Sequence, residues 1–170
     1  ILTLYLDPAS FGIFFVVSSI VIFLNYFQDI GLAAALIQKK EEVSKEELRA
    51  TFTLQQLLVL ALIIPTLLFS KQIADFYSLS RDGYILFLAL LGSFFLSSLR
   101  TIPTVIMERK LDFNKLVIPQ ILENIFYNAS LIIFAVSGFG ITTFTIAVVS
   151  RSVIGLVLTY IVQPWPIGIS

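Results

Sequence analysis

The chain has no cysteine and no histidine, and only one tryptophan and one methionine in 170 residues. Without cysteine there is no disulfide framework and no thiol nucleophile. Without histidine there is no imidazole proton shuttle and no His-based metal site. Charge is scarce as well: 11 basic and 11 acidic residues make up 13% of the chain and cancel formally, where a soluble domain carries about 25%. That balance points to no nucleic-acid partner. No GxxxxGK[ST] phosphate loop is present, so nothing indicates nucleotide hydrolysis, and no metal or cofactor is expected. The opening Ile1 to Leu6 lacks an initiator Met and the positive n-region of a signal peptide. It reads as the last turns of a first helix, in a chain that is an internal fragment.

What is abundant is apolar. Hydrophobic residues make up 58% of the sequence and phenylalanine alone fills 16 positions, too much for the polar residues available to cover in water. Five long apolar runs stand out, at about 11–35, 51–69, 84–106, 117–136 and 141–162. A spanning helix needs about 20 residues at 1.5 Å each, and in lipid a helix satisfies its own backbone whereas an isolated strand cannot. The expected fold is therefore all-α, a polytopic transmembrane helix bundle.

Basic residues divide the loops. Lys39, Lys40, Lys45 and Arg49 lie in 38–50, and Arg109, Lys110 and Lys115 in 108–115, whereas the alternate side holds only Lys71 and Arg81. The positive-inside rule puts the first two loops in the cytoplasm. Within 38–50 a solvated loop is favoured over an interfacial helix with Glu41–Lys45 and Glu46–Arg49 pairs. Gly138-Phe139-Gly140 predicts a tight turn and an antiparallel helix pair. Pro103 predicts a bend near the inner end of the third span, and Pro119 marks the start of the fourth.

Ionisable residues inside spans usually face the bundle interior or a wet cavity. Ser18, Asn25 and Asp29 share one helical face, with Asp29 either interfacial or closing a polar lining. Ser93, Ser97, Arg100 and Thr104 form a second stripe. Arg100 either snorkels to lipid phosphate or, as the stripe favours, faces inward. Gln120, Glu123, Tyr127 and Ser130 form a third, and antiparallel folding brings Glu123 within reach of Arg100, as a structural pair or as ligand groups. Arg151 lies near the middle of its span, flanked at four residues by Ala147 and Gly155. Small neighbours there suit a water-filled or anion-binding setting, with a buried ion pair as the alternative.

The segment from Pro103 through Met107-Glu108-Arg109-Lys110-Leu111-Asp112-Phe113-Asn114-Lys115 to Leu116 resembles the inner loop of bacterial O-antigen and exopolysaccharide flippases. Asp29-Ile30-Gly31-Leu32 with Ala35-Leu36-Ile37-Gln38, and the Gly138-Phe139-Gly140 turn, resemble that family too. It belongs to the multidrug/oligosaccharidyl-lipid/polysaccharide exporter superfamily. The resemblance implies that residues 1–170 are a partial N-terminal lobe of a two-lobe transporter, with the end of helix 1 at 1–6. It also implies flipping of undecaprenyl-diphosphate-linked oligosaccharide across a bacterial inner membrane by alternating access, without enzymatic chemistry. Arg100 and Arg151, with Gln120 and Tyr127, would line the substrate cavity, and Asp29 and Glu123 would serve gating or ion coupling. Arg109, Lys110 and Lys115 would form the cytoplasmic mouth. Implied partners are the lipid-linked oligosaccharide, membrane lipids, the remaining C-terminal lobe, and the polymerase and glycosyltransferases of polysaccharide synthesis. A multidrug or peptidoglycan-precursor exporter, and a non-transporting membrane protein, remain as alternatives.

Overall fold

Ser44, Ser80 and Asp112 each precede a long apolar run, and each starts a helix by accepting a backbone hydrogen bond from the residue three positions on. The computed structural model describes residues 2–28 and 31–167. After a 3-10 turn at Leu2–Leu4, the chain forms α1 (Pro8–Gln28), α2 (Leu32–Gln38), α3 (Lys45–Leu68), α4 (Ser70–Phe76), α5 (Arg81–Ser98), α6 (Thr101–Arg109), α7 (Phe113–Val136) and α8 (Thr142–Val162). No strand occurs among the described residues. Four helices, α1, α3, α7 and α8, are long and apolar enough to cross a membrane, and the bent pair of α5 and α6 makes a fifth crossing if it counts as one span. The molecule is an all-helical polytopic bundle.

Several element boundaries differ from the sequence reading, each for a local reason. The first apolar run is two helices rather than one: Gly31 adopts φ 79°, a left-handed conformation that breaks the helical path before α2. Residues 45–50 are the opening turns of α3, not solvated loop. There Ser44 and Glu47 form a capping box, with Glu47 N–H donating to Ser44 Oγ at 3.1 Å and Ser44 N–H to Glu47 Oε2 at 2.9 Å. Lys39 pairs with Glu47 at 2.5 Å, and the Glu41–Lys45 and Glu46–Arg49 pairs of the interfacial-helix alternative do not form among the described residues. Pro119 lies inside α7, which begins six residues earlier because Asp112 caps it.

The third apolar run bends by 41° between α5 and α6. Pro103 has no N–H to donate to the carbonyl of Leu99, and its ring crowds that oxygen, so the break falls just before the proline's own turn. The freed Leu99 carbonyl accepts from the Tyr160 hydroxyl of α8 at 2.8 Å. A carbonyl left orphaned in an apolar surrounding would be costly, and this side-chain bond is its replacement.

Central to the packing is α5, which lies against α1, α3 and α8. Phe87, Leu91 and Phe94 of α5 meet Val17, Val21 and Leu24 of α1 and Val59 and Ile63 of α3. On its other side Leu86 joins Phe144 and Ala147 of α8 and Leu131 and Ala135 of α7. The glycines of the α7–α8 turn, Gly138 and Gly140, have φ 79° and 56°, which lets the two helices run back against each other. Outer faces are apolar: Phe23 and Tyr26 on α1 and Ile121, Ile125 and Ile133 on α7 are all exposed. Facing water, such surface would be an association hazard; facing lipid, it is the expected outer shell.

Candidate functional site

The inner face of α7 follows an i+4 ladder of Pro119, Glu123, Tyr127, Leu131 and Ala135, buried or half-buried throughout. This ladder carries Glu123 into the bundle. Across from it, the break before α6 turns Arg100 toward the same point. Arg100 Nη1 donates to Glu123 Oε2 at 2.7 Å, and Arg100 Nε donates to Thr159 Oγ1 of α8 at 3.1 Å. Thr159 in turn donates to the Gly155 carbonyl at 2.7 Å.

Gly155 is required by this geometry. A Cβ placed there would lie 2.0 Å from Glu123 Oε2 and 2.5 Å from Arg100 Nη1, so the ion pair crosses α8 where that helix has no side chain. Arg151, one turn earlier on α8, reaches the other carboxylate oxygen with Nη2 at 3.8 Å. Its guanidinium carbon also sits 5.4 Å from the centre of the Tyr127 ring, within cation–π range. One carboxylate thus serves two guanidinium groups, and the three side chains together carry one excess positive charge.

The two arginines are held differently. Glu123 has a side chain 8% exposed and Arg100 19%, whereas the Arg151 side chain is 45% exposed. Arg100 is short-bonded and doubly engaged, so it is a fixed counter-ion. Arg151 is loosely held and open to the cavity. That cavity has a volume of about 590 Å³. Ser18 and Asn25 of α1, Ser93 and Ser97 of α5 and Ser152 of α8 join the charged group in lining it, and Ser152 donates to Ser93 at 2.6 Å. The remaining wall is apolar, with Phe14, Phe15 and Ile22. A smaller cavity of about 230 Å³ lies on the other side of Arg100, lined by Ala33, Thr104 and Glu108. Arg100 borders both.

Arg100, Glu123, Tyr127 and Arg151 are therefore brought together. Gln120 is not: it is exposed on α7, one residue past Pro119 and so about 100° around the helix from the inner ladder. Asp29 lies outside the described residues. At the basic end, Arg109 is committed to the main chain. It donates to the carbonyls of Leu36, Lys39 (2.8 Å) and Glu41 (2.7 Å), capping the C-terminal end of α2 as cations do. Lys115 pairs with Asp112 at 3.1 Å, and its hydrogen bond holds the Asp112 carboxyl below the usual range. Lys110 is exposed.

Sequence reasoning missed Thr159 and the capping role of Arg109. Thr159 was findable, since Arg151, Gly155 and Thr159 repeat at i+4 along one face of α8. Arg109 carried no such signal, because its acceptors are about 70 positions away.

The model of the polysaccharide biosynthesis protein family matches the chain over residues 1–170. Over 86 residues, 51% of this chain, it is 29% identical to a Klebsiella pneumoniae protein described as a membrane protein in the cps region. The matched segment spans 18% of that relative's length. No solved structure matches. By the match over its whole length, this multi-pass membrane chain, with a charged cluster beside a partly polar cavity, belongs to the polysaccharide biosynthesis protein family.

Proposed function

We propose that the chain forms one wall of an alternating-access pathway that flips an undecaprenyl-diphosphate-linked oligosaccharide across a bacterial inner membrane. In this reading the segments 38–50 and 108–115 face the cytoplasm, the side that their basic residues favour, and a C-terminal lobe supplies the opposite wall. The observation that carries the proposal is the unequal sharing of Glu123: Arg100 binds it at 2.7 Å while Arg151 stands 3.8 Å away and half in the cavity. A diphosphate arriving there meets a guanidinium that leaves its carboxylate at little cost, because Arg100 continues to neutralise Glu123.

Charge selects the substrate class. A cavity with one excess positive charge favours an anion, and a cationic drug would gain more from the reverse balance. Tyr127, under the Arg151 guanidinium, orients it without neutralising it. The serines and Asn25 supply hydrogen-bond partners to sugar hydroxyls. The act performed is transfer between leaflets, so Glu123 serves as the group from which Arg151 is released, not as an acid or base in bond cleavage.

Leaflet exchange of a lipid-linked oligosaccharide in proteoliposomes holding the full-length protein tests this. Arg151→Ala is expected to slow exchange at least about tenfold, the scale of one hydrogen bond to a charged group. Wild-type exchange no faster than in protein-free vesicles would sink the transport reading. A fully active Arg151→Ala would leave transport standing and remove Arg151 from it.

A further inference from the structure

A second cavity, of about 590 Å³, opens where α3 begins, α6 ends and the chain leaves α8. Lys45 and Arg49, one turn apart on α3, share a face there with Lys110 from the end of α6. All three are exposed, and none of them forms an ion pair among the described residues. Arg109, also in the wall, is already engaged by carbonyls, and Glu42 is the one carboxylate present. Three exposed cations therefore share this wall with one carboxylate, and Lys110 also feels the charge of Asp112 just outside it.

The other wall is apolar, made by Val43, Leu48, Ile106 and Trp165. Trp165 is 8% exposed between Pro164 and Pro166, and its indole Nε1 is a buried donor without an acceptor. Exposed cations that outnumber the single carboxylate of the wall call for an anion, while the apolar wall calls for hydrocarbon beside it. A free phosphate ion answers only the first. A phospholipid answers both, and the cavity lies at the ends of spans, the depth at which headgroups and interfacial Trp and Lys residues meet.

We propose that this cavity is a binding site for an anionic membrane phospholipid. Its phosphate lies among Lys45, Arg49 and Lys110, and the start of its acyl chains lies along the Val43, Ile106 and Trp165 wall. The site is separate from the Arg100–Glu123–Arg151 cluster and does not depend on the transport reading.

Trp165 is the single tryptophan among these 170 residues, and the emission difference between the full-length protein and its Trp165→Phe variant isolates the signal of this cavity. The detergent-solubilised full-length protein is titrated with phosphatidylglycerol, with phosphatidylcholine of the same acyl length, and with inorganic phosphate. A saturable emission change is expected for phosphatidylglycerol only. Lys45→Gln with Arg49→Gln should weaken its apparent affinity about thirtyfold, and Lys110→Gln about fivefold. Lys71→Gln, at the opposite end of the bundle, should leave it unchanged. All four side chains are exposed, so these substitutions disturb no buried packing. An equal response to phosphatidylcholine, saturation by inorganic phosphate alone, or undiminished affinity in both cation variants would each overturn the proposal.

Discussion

Arg109, at the basic end of the bundle, donates to the main-chain carbonyls of Leu36, Lys39 and Glu41, while Arg151, in the cavity wall, meets one carboxylate at 3.8 Å and an aromatic face. The first fastens a loop to a helix end and leaves the guanidinium little to offer a ligand. The second is nearly half exposed and weakly restrained. Arg100 falls between them, bound tightly to Glu123 and Thr159 yet bordering two cavities. What separates a structural arginine from an available one in this molecule is the number and quality of acceptors already around it, more than depth in the bundle.

The sharpest way to break this contrast is to compare Glu123→Gln with Arg151→Gln. Removing the carboxylate leaves Arg100 hydrogen-bonded to Thr159 but without a counter-ion, and breaking a buried pair costs about 3–5 kcal/mol. Removing Arg151, which is 45% exposed, should cost at most about 1 kcal/mol. Chemical unfolding of both variants in the same detergent reads the difference. Equal losses would show that Arg151 is as structural as Arg100.

A smaller effect is expected at the other end. Arg109→Gln removes several charge-assisted bonds to carbonyls at a partly exposed site, at a cost of about 1–2 kcal/mol. The loss should be confined to the α2 end and its following loop. Hydrogen exchange of residues 36–44 should accelerate while that of α7 and α8 stays unchanged. Acceleration spread over the whole bundle would mean that Arg109 supports more than a cap.

The smallest effect concerns Asp112, the N-cap of α7. Its carboxyl is held low first by the hydrogen bond from the Lys115 side chain. A depressed native value means that the unfolded chain binds the proton first as pH falls, so this contribution is complete above about pH 5 and disappears as pH drops through the native value. Asp112→Asn should remove the corresponding acid-side slope in a stability-against-pH series. An unchanged slope would exclude Asp112 as its source.

Much of the fold could be read from hydropathy, because a lipid-facing helix must be both long and apolar. The runs near 51–69, 117–136 and 141–162 each lie within, or within one residue of, a single helix. What hydropathy cannot see is a change of direction inside apolar sequence. Gly31 divides the first run through its backbone conformation, and the α5–α6 break was legible only as far as Pro103 allowed. In the site, antiparallel folding and polar stripes led to Arg100 meeting Glu123, while Gln120 shows how one residue of phase error moves a side chain off the inner face. The capping role of Arg109 was invisible because it depends on where two distant segments meet.

The joint before α6 has a mechanical consequence. With Leu99 pinned to Tyr160, α6 is a nine-residue rod, about 13 Å long, hinged beside the arginine that grips Glu123 and tied at its far end through Arg109 to α2. A tilt of about 10° around that hinge carries the far end about 2 Å while hardly displacing the Arg100 backbone. Lever geometry of this kind concentrates any displacement of α6 at its basic end and leaves the Arg100–Glu123 pair at its still end.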